Sequence, residues 1–360
     1  MCDILPRRRY SRCRCARGAT APMVDTTGKA ARLDYRPRKR RPVGTYILRR
    51  IVYMLIVLVI VSAIVFILVR LLPGDPILIY LTQQDVESLS IERVAQVRHE
   101  LGLDKPLVIQ YVQWVGSLAR GDFGISVIRQ SPVTVDIKQR LPVTLHLGAM
   151  AFLVSIMIGI PAGVIAAVRR GGWLDQLVTT LGNMGVTIPS FWLAIFLIYI
   201  FGLRLGWLPI FGYTSPFRDF WLNARQVILP VFCLAIPPIA TDMRLTRSSM
   251  LEVMRQDYIR TAWAKGLRER GVIIRHGLKN GLIPVITMKG MSIIMIFGGS
   301  VFIETVFSIP GMGRLLVEAV RSLDYGVVQA VIFIMAIIVS TVNLLIDISW
   351  GWLDPRIRYG

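Results

Sequence analysis

Residues 257–284 read DYIRTAWAKGLRERGVIIRHGLKNGLIP, a basic stretch lying between two long apolar runs. From Tyr258 to Ala264 nearly every residue favours a helix, and Ile259, Ala262 and Trp263 form an apolar stripe while Arg260 and Lys265 point elsewhere. Gly266 is predicted to end this helix, because glycine accepts the left-handed backbone that a helix stop needs. A second stripe, Val272, Ile273 and His276 with Leu278 nearby, predicts another short helix before Pro284. Pro284 is placed at the opening of a membrane span, where its missing backbone donor costs little. Helix, glycine turn and second helix make a docking element that carries no catalytic apparatus. Such a helix has two readings: it fills a groove in a partner, or it lies solvated or lipid-facing at the membrane surface.

The chain around this stretch has the composition of a membrane protein. Hydrophobic residues make up 54% of its 360 and the formal net charge is +20, with a mean hydropathy of +0.57, a combination rare in soluble single domains. Nucleic-acid binding explains the charge less well, since apolar spans interrupt it where a nucleic-acid binder gathers it on one soluble face. Residues 1–45 form a basic tail, expected to be disordered and cytoplasmic, with Arg7–Arg9 and Arg38–Arg41 as its densest runs. Cys2, Cys13 and Cys15 lie there and Cys233 lies elsewhere, which implies no disulfide framework and only a weak C-x-C metal signal.

Six membrane spans are predicted, at about residues 46–72, 141–168, 178–205, 227–241, 282–307 and 327–350, with an extracytoplasmic loop at 73–140 and a cytoplasmic loop at 242–281. Positive charge gathers in the loops placed inside, above all Arg244–Lys279, so both termini fall in the cytoplasm. Pro189 in IPSFW (Ile188–Trp192) is expected to kink the third span, and Pro230, Pro237 and Pro238 to bend the fourth. Gly298, Gly299 and Ser300 allow close helix approach in the fifth, where Lys289 is expected to snorkel to the inner interface. Asn343 and Asp347 share one face of the last span and are expected to bond to a neighbouring helix, Asp347 being the one carboxylate placed well inside a span. Thr187, Ser190, Ser292 and Ser300 are candidates to line a solute path.

Chemistry of its own is missing from the chain. No G-x-x-x-x-G-K-[ST] phosphate loop occurs, His99, His146 and His276 are far apart without carboxylates at zinc spacing, and no G-x-S-x-G or paired Cys/His nucleophile is found. The reading is therefore no enzyme, no catalytic residue, no metal and no cofactor bound by this chain.

The stretch at 257–284 resembles the cytoplasmic EAA loop of binding-protein-dependent ABC importer permeases, in their dipeptide, oligopeptide and nickel branch. Thr261 and Ala262 stand at the motif's two alanines, Gly266 at its glycine and Pro284 at its closing proline. Arg260 stands where the motif has glutamate, and the Gly266–Pro284 spacing is longer than in the sugar-type consensus; the peptide branch is similar in both respects. RLLPGDP, LGLDKP, RLPVTL, PSFWLAIF, LGWLP, QDYIRTAWAKGL, ETVFSIPGMGRLLVEAV and LDPRIRYG follow in that branch's order, so the resemblance covers Tyr46–Gly360. It implies an all-α integral membrane protein with six transmembrane helices, the type I importer permease (MetI-like) fold. It also implies a loop that couples to an ATPase through Asp257, Tyr258, Arg260, Thr261, Ala262, Ala264, Lys265, Gly266 and Pro284. The partners it implies are a second, homologous permease, two ATP-binding subunits that hold ATP and Mg, an extracytoplasmic solute-binding protein, membrane lipid and a short peptide as solute, with no nucleic acid. Nickel complexes or glutathione are cargo of close relatives. An ion-coupled secondary transporter is the alternative; it calls for inverted repeats and buried carboxylates in broken spans, and the sequence shows no repeat.

Overall fold

The computed structural model describes residues 43–71, 104–126 and 128–353, and these are helical apart from loops and one isolated antiparallel bridge between Ile125 and Pro132. The basic tail up to residue 42, the LPGDP motif, the stretch at 91–103 and the chain after Leu353 lie outside the described residues. In chain order the helices are α1 (Val43–Leu71), α2 (Leu107–Ala119), α3 (Val133–Val168), α4 (Trp173–Thr187), α5 (Ser190–Leu197, continuing as a π-helical turn Ile198–Arg204) and α6 (Phe220–Val253). Then come α7 (Asp257–Ala264), α8 (Lys279–Val306), α9 (Met312–Arg321) and α10 (Tyr325–Leu353). Five of them, with α8 counted from its lead-in at Glu269, are long and apolar enough to cross a membrane, and the bent pair α4–α5 makes a sixth if taken as one span.

Helix α6 is the centre. In its most apolar window 67% of the residues are buried, against 17% in α1 and 11% in α10, which turn apolar faces outward as lipid-facing helices do. One core joins α3, α5, α6 and α8 through Leu147, Ala151, Ala194, Leu234 and Ile296. A second ties α1 to the start of α3, α9 and α10 through Val65, Val133, Leu315 and Val331. Glycine lets the central helices touch. A Cβ at Gly159 of α3 would stand 2.7 Å from the Cβ of Asp242, and one at Gly163 would stand 2.6 Å from the Cβ of Thr246. The two glycines, four apart, thus seat one turn of α6 against bare backbone.

The element bounds differ from the sequence reading in informative places. Helix α3 begins at Val133 rather than Leu141, with Pro132 preceding its first turn and Pro142 inside it. Helix α6 begins at Phe220, where Asp219 caps it by accepting from the Leu222 amide at 2.9 Å, and runs on through its three prolines to Val253. The polar residues Asn223, Arg225 and Gln226 at its start, and Asp242 and Arg244 further on, hide those turns from a hydropathy reading. At IPSFW the third span is broken, not kinked: Ile188, forced out of the helical region by the following proline, is extended (φ −75°, ψ 121°), and the helices on either side turn by 104°. Helix α8 begins at Lys279, so Pro284 falls inside it instead of opening it. The carbonyl that Pro284 deprives of a donor belongs to Asn280, an exposed residue, which makes the proline cheap there. No separate second helix precedes it: the turn Glu269–Gly271 passes into a π-helical turn, Val272–Leu278, and this into α8.

Candidate functional site

Helix α7 stands in the chain between two helices of the core, α6 before it and α8 after it, and its faces divide sharply. Ile259 and Ala262 are buried against Val272 and Met254. Trp263 does not continue that face, as the sequence stripe expected; it is 43% exposed, beside Tyr258 at 41% and Leu267 at 42%. Asp257, Arg260, Thr261, Ala264 and Lys265 are exposed as well. The helix ends in a double bond of Schellman type, with the Leu267 amide donating to the Ala262 carbonyl at 3.4 Å and the Gly266 amide to Trp263 at 2.9 Å. Gly266 carries the required left-handed backbone (φ +71°). Tyr258 accepts from the Asn280 side chain at 2.9 Å, which ties α7 to the first turn of α8. The helix is thus seated by Ile259 and Ala262 and tied by Tyr258, while Trp263, Leu267, Arg260 and Lys265 stand exposed on its other side.

Behind α7 the helices that flank it are joined by a buried ion pair. Lys289 of α8 is 4% exposed and donates to Asp242 of α6, itself 1% exposed, and to Ser155 Oγ of α3 at 3.1 Å. Lys289 therefore does not snorkel; the glycine-mediated approach of α3 and α6 places a carboxylate and a hydroxyl opposite it, and these replace the interfacial water. The second oxygen of Asp242 and the hydroxyl of Thr246 are buried without a partner among the described residues. Nearby, Asp175 at the start of α4 takes Arg247 of α6 in a two-pronged bond, 2.5 Å from Nε and 2.8 Å from Nη2, and also accepts from the Gly171 amide at 2.9 Å.

At the opposite end Glu304 of α8 is fully buried and caps its own downstream helix. It accepts from the amides of Gly313 at 2.7 Å and Arg314 at 3.1 Å, and from the Thr144 hydroxyl at 2.7 Å, while Thr144 in turn accepts from the Met312 amide at 2.8 Å. A carboxylate on the open amides of a helix N-terminus is well placed electrostatically. The glycines of IPGMGRLL follow from it, because a Cβ at Gly311 would overlap the Glu304 carboxylate. Glu318 of α9 gathers Arg140 at 3.3 Å, Arg129 at 3.0 Å and Arg314 at 2.8 Å. Partial burial by itself raises the Glu318 carboxyl, but attraction to Arg140, the hydrogen bond and charge of Arg314 and the charge of Arg129 outweigh it and hold the group below the usual carboxylate range.

The candidate path residues are not brought together. Thr187 is exposed at the break between α4 and α5, its hydroxyl bonded to the Asn183 and Met184 carbonyls, and Ser190 begins α5 half-buried. Ser292 and Ser300 are buried and bond back to Met288 at 3.5 Å and Phe297 at 2.8 Å in their own helix. Asp347 pairs with Arg50 of α1 at 3.0 Å, and Asn343 lies against Gly290 of α8, where a Cβ would come within 2.6 Å of its oxygen. The reading of Asp347 as the one carboxylate well inside a span is corrected: Asp242 and Glu304 are deeper, and both are already engaged. The signal for Asp242 was the pair Gly159 and Gly163, four apart in α3, read beside a lone lysine in a later span.

Comparison with known proteins decides the lineage. Residues 44–148 match the N-terminal family model of binding-protein-dependent transport system membrane components, and residues 159–359 match the model of binding-protein-dependent transport system inner membrane components. The chain belongs to this family. As an inner membrane component of such a transport system it is a multi-pass membrane protein. It is 40% identical over 316 residues to the probable peptide ABC transporter permease protein y4tP of Sinorhizobium fredii, covering 88% of this chain and 100% of that one. It is 43% identical over 316 residues to a putative peptide transport system permease protein of Brucella abortus, covering 87% of this chain and 98% of that one. It is 39% identical over 315 residues to the glutathione transport system permease protein GsiC of Escherichia coli K12, covering 87% and 99%. Among solved structures an inward-facing MetNI methionine ABC transporter shares the fold at a TM-score of 0.51 and 18% identity, over 61% of this chain and 96% of that one. Membership of this family makes the chain a membrane component of a binding-protein-dependent transport system and does not favour the secondary transporter.

Proposed function

We propose that this inner membrane component imports short peptides, and that ATP hydrolysis in partner subunits drives it through α7. The cargo rests on the names of the relatives, whose systems carry peptides or glutathione. The coupling role rests on one observation: α7 is fastened to its own chain by Ile259 and Ala262 while Tyr258, Trp263 and Leu267 stand exposed among Arg260 and Lys265. An apolar helix face of that kind fits a groove in a partner protein. ATP and Mg belong to two such ATP-binding partners, for this chain has no phosphate loop. On this reading α7 faces the cytoplasm, both termini lie on that side, and the solute-binding protein meets the opposite surface, near α9 and its arginine cluster. A second, homologous permease covers part of the outward apolar face of α5, where Phe191, Trp192, Ile195 and Phe196 are exposed. Thr187 and Ser190 would border the path at the α4–α5 break, with Ser292 and Ser300 standing behind it.

The test is made on the assembled transporter. Trp263→Ala removes an exposed aromatic anchor; anchors of this kind are worth about 2 kcal/mol or more, so ATP-driven peptide uptake is expected to fall by about 30-fold while the chain still inserts. A cysteine in place of Trp263 is expected to cross-link to the ATP-binding subunit. Full uptake by Trp263→Ala together with no cross-link overturns the coupling role. Gly266→Pro, at a φ that proline cannot adopt, is expected to abolish uptake. Ala262→Asp acts differently from a surface change, since it buries a carboxylate under Met254 and Val272 and unseats the helix from its own chain.

A further inference from the structure

The last turn of α3, the start of α4 and the segment leading from α7 into α8 enclose a groove of about 560 Å³. That volume falls within the usual size of a small-molecule site, about 300–1,000 Å³. Its walls are apolar and open: Ile165, Val168 and Ile274 line it and are all exposed, while Ile273 forms its floor, buried with Ala167 and Met250. Two arginines, Arg169 and Arg270, border it, both exposed. Neither guanidinium has an ion pair or a hydrogen bond with any described residue, whereas Arg247 nearby is taken up by Asp175 and the arginines near α9 by Glu318.

An apolar groove edged by two cations that no described residue neutralises calls for an amphiphile with an anionic head. The position favours a lipid. Val164, Ile165 and Val168 end a helix long and apolar enough to cross the membrane, and Arg169 follows at once, so the groove opens where hydrocarbon gives way to headgroups. Basic pockets between spans at that depth take anionic lipid heads. We propose that the groove binds one anionic phospholipid, with its phosphate held by Arg169 and Arg270 and an acyl chain lying along Ile165, Val168 and Ile274. Arg270 sits on the Glu269–Gly271 turn, directly before the π-helical turn that joins α7 to α8. A lipid there braces this joint against α3. The site is independent of what the transporter carries.

The experiment uses the full chain, purified in detergent and exchanged into nanodiscs of palmitoyl-oleoyl phosphatidylglycerol and phosphatidylcholine mixed in equal parts, with retained lipid counted by native mass spectrometry. The wild type is expected to keep phosphatidylglycerol over phosphatidylcholine. An arginine near an anionic lipid strengthens binding about 5-fold, so Arg169→Gln with Arg270→Gln is expected to lower phosphatidylglycerol retention by about 30-fold and to leave phosphatidylcholine unchanged. Ile274→Trp, which fills the groove and keeps both arginines, is expected to lower it as well, and Arg218→Gln, on an exposed loop, is expected to change nothing. In a background with Cys2, Cys13 and Cys15 changed to serine, protection of buried Cys233 from thiol reagents confirms that each variant is folded. Equal retention by folded wild type and double arginine variant overturns the site. So does a photo-cross-linker at Ile274 that labels an ATP-binding subunit of the assembled transporter instead of lipid.

Discussion

Changing Lys289 to Met leaves Asp242 a buried carboxylate without its cation, and changing Asp242 to Asn leaves Lys289 a buried ammonium that keeps the Ser155 hydroxyl and the Phe152 ring, 5.2 Å away, but loses its carboxylate. Removing one partner of a buried ion pair costs about 3–5 kcal/mol, because the survivor loses its neighbour without regaining water. Replacing both by neutral groups of similar size removes most of that cost. The single variants are therefore expected to raise the unfolded fraction more than about 100-fold, and the double variant Asp242→Asn with Lys289→Met to recover most of the loss. Cys233 supplies the readout: it is a free thiol, fully buried in α6, and a thiol-reactive dye reaches it only on unfolding. In a background with Cys2, Cys13 and Cys15 changed to serine it is the sole reporter. Thermal unfolding in detergent then gives the order double variant above either single variant. Single variants as stable as the parent, or a double variant whose loss equals the sum of the two, would refute the pairing as an energetic link.

Gly163→Ala places a Cβ 2.6 Å from Thr246 and 2.7 Å from the Met243 carbonyl, and is expected to cost about 1–3 kcal/mol by forcing α3 off α6, while Gly182→Ala, with 3.6 Å to its nearest neighbour, is expected to be neutral in the same dye assay. Gly311→Ala pushes into the Glu304 carboxylate and strips the cap from α9, so hydrogen exchange at the Met312–Arg314 amides is expected to rise steeply, with α1 unaffected. The ion cluster at Glu318 has a pH signature. Its carboxyl is lowered in the folded chain, so its contribution is fully present above the ordinary carboxylate value near about 4.3 and is lost as the pH falls through the lower folded value. Hydrogen exchange in α9 is accordingly expected to stay constant from neutral pH to about pH 5, after correction for the intrinsic rate, and to rise only in stronger acid. Glu318→Gln is expected to abolish that acid step, and persistence of the step in the variant would assign it to another group.

How much of this was legible depended on which physical signal a residue carries. Long apolar runs announce themselves, so α1, α8 and α10 stand close to where hydropathy puts them. A helix whose ends are polar does not, and α6 overruns its expected bounds on both sides because Asp219 caps it and its inner turns are bonded to other helices, not to water. Pro189 was visible as a perturbation, but whether a proline kinks or breaks a helix depends on what its neighbours satisfy, and here the chain leaves the helix at Ile188. Trp263 shows the same limit at the scale of one side chain. Helical spacing puts it near Ile259 and Ala262, yet which of three apolar residues is covered depends on where Met254, from the end of α6, and Val272, from the segment after α7, come to lie. Glu304 and Gly311 could be read together only once the turn between them had brought the carboxylate back onto the amides.

These placements bear on why an apparently costly group is kept in the apolar centre. A hydrophobic pair in place of Lys289 and Asp242 would hold α6 and α8 together at least as well. What it would lack is direction: an ion pair with a hydroxyl from α3 is satisfied in one relative placement of three helices and loses heavily a few ångströms away from it. Helices α6 and α8 are the two that lead into and out of α7. Under the proposed coupling, a push on Trp263 and Tyr258 reaches them through Met254 on one side and the π-helical turn on the other, and the pair makes them answer as one body. If so, the double neutral variant should unfold at nearly the parental temperature and still hydrolyse ATP in the assembled transporter while moving less peptide per ATP. Parental uptake per ATP in that variant would leave the pair a structural tie and nothing more.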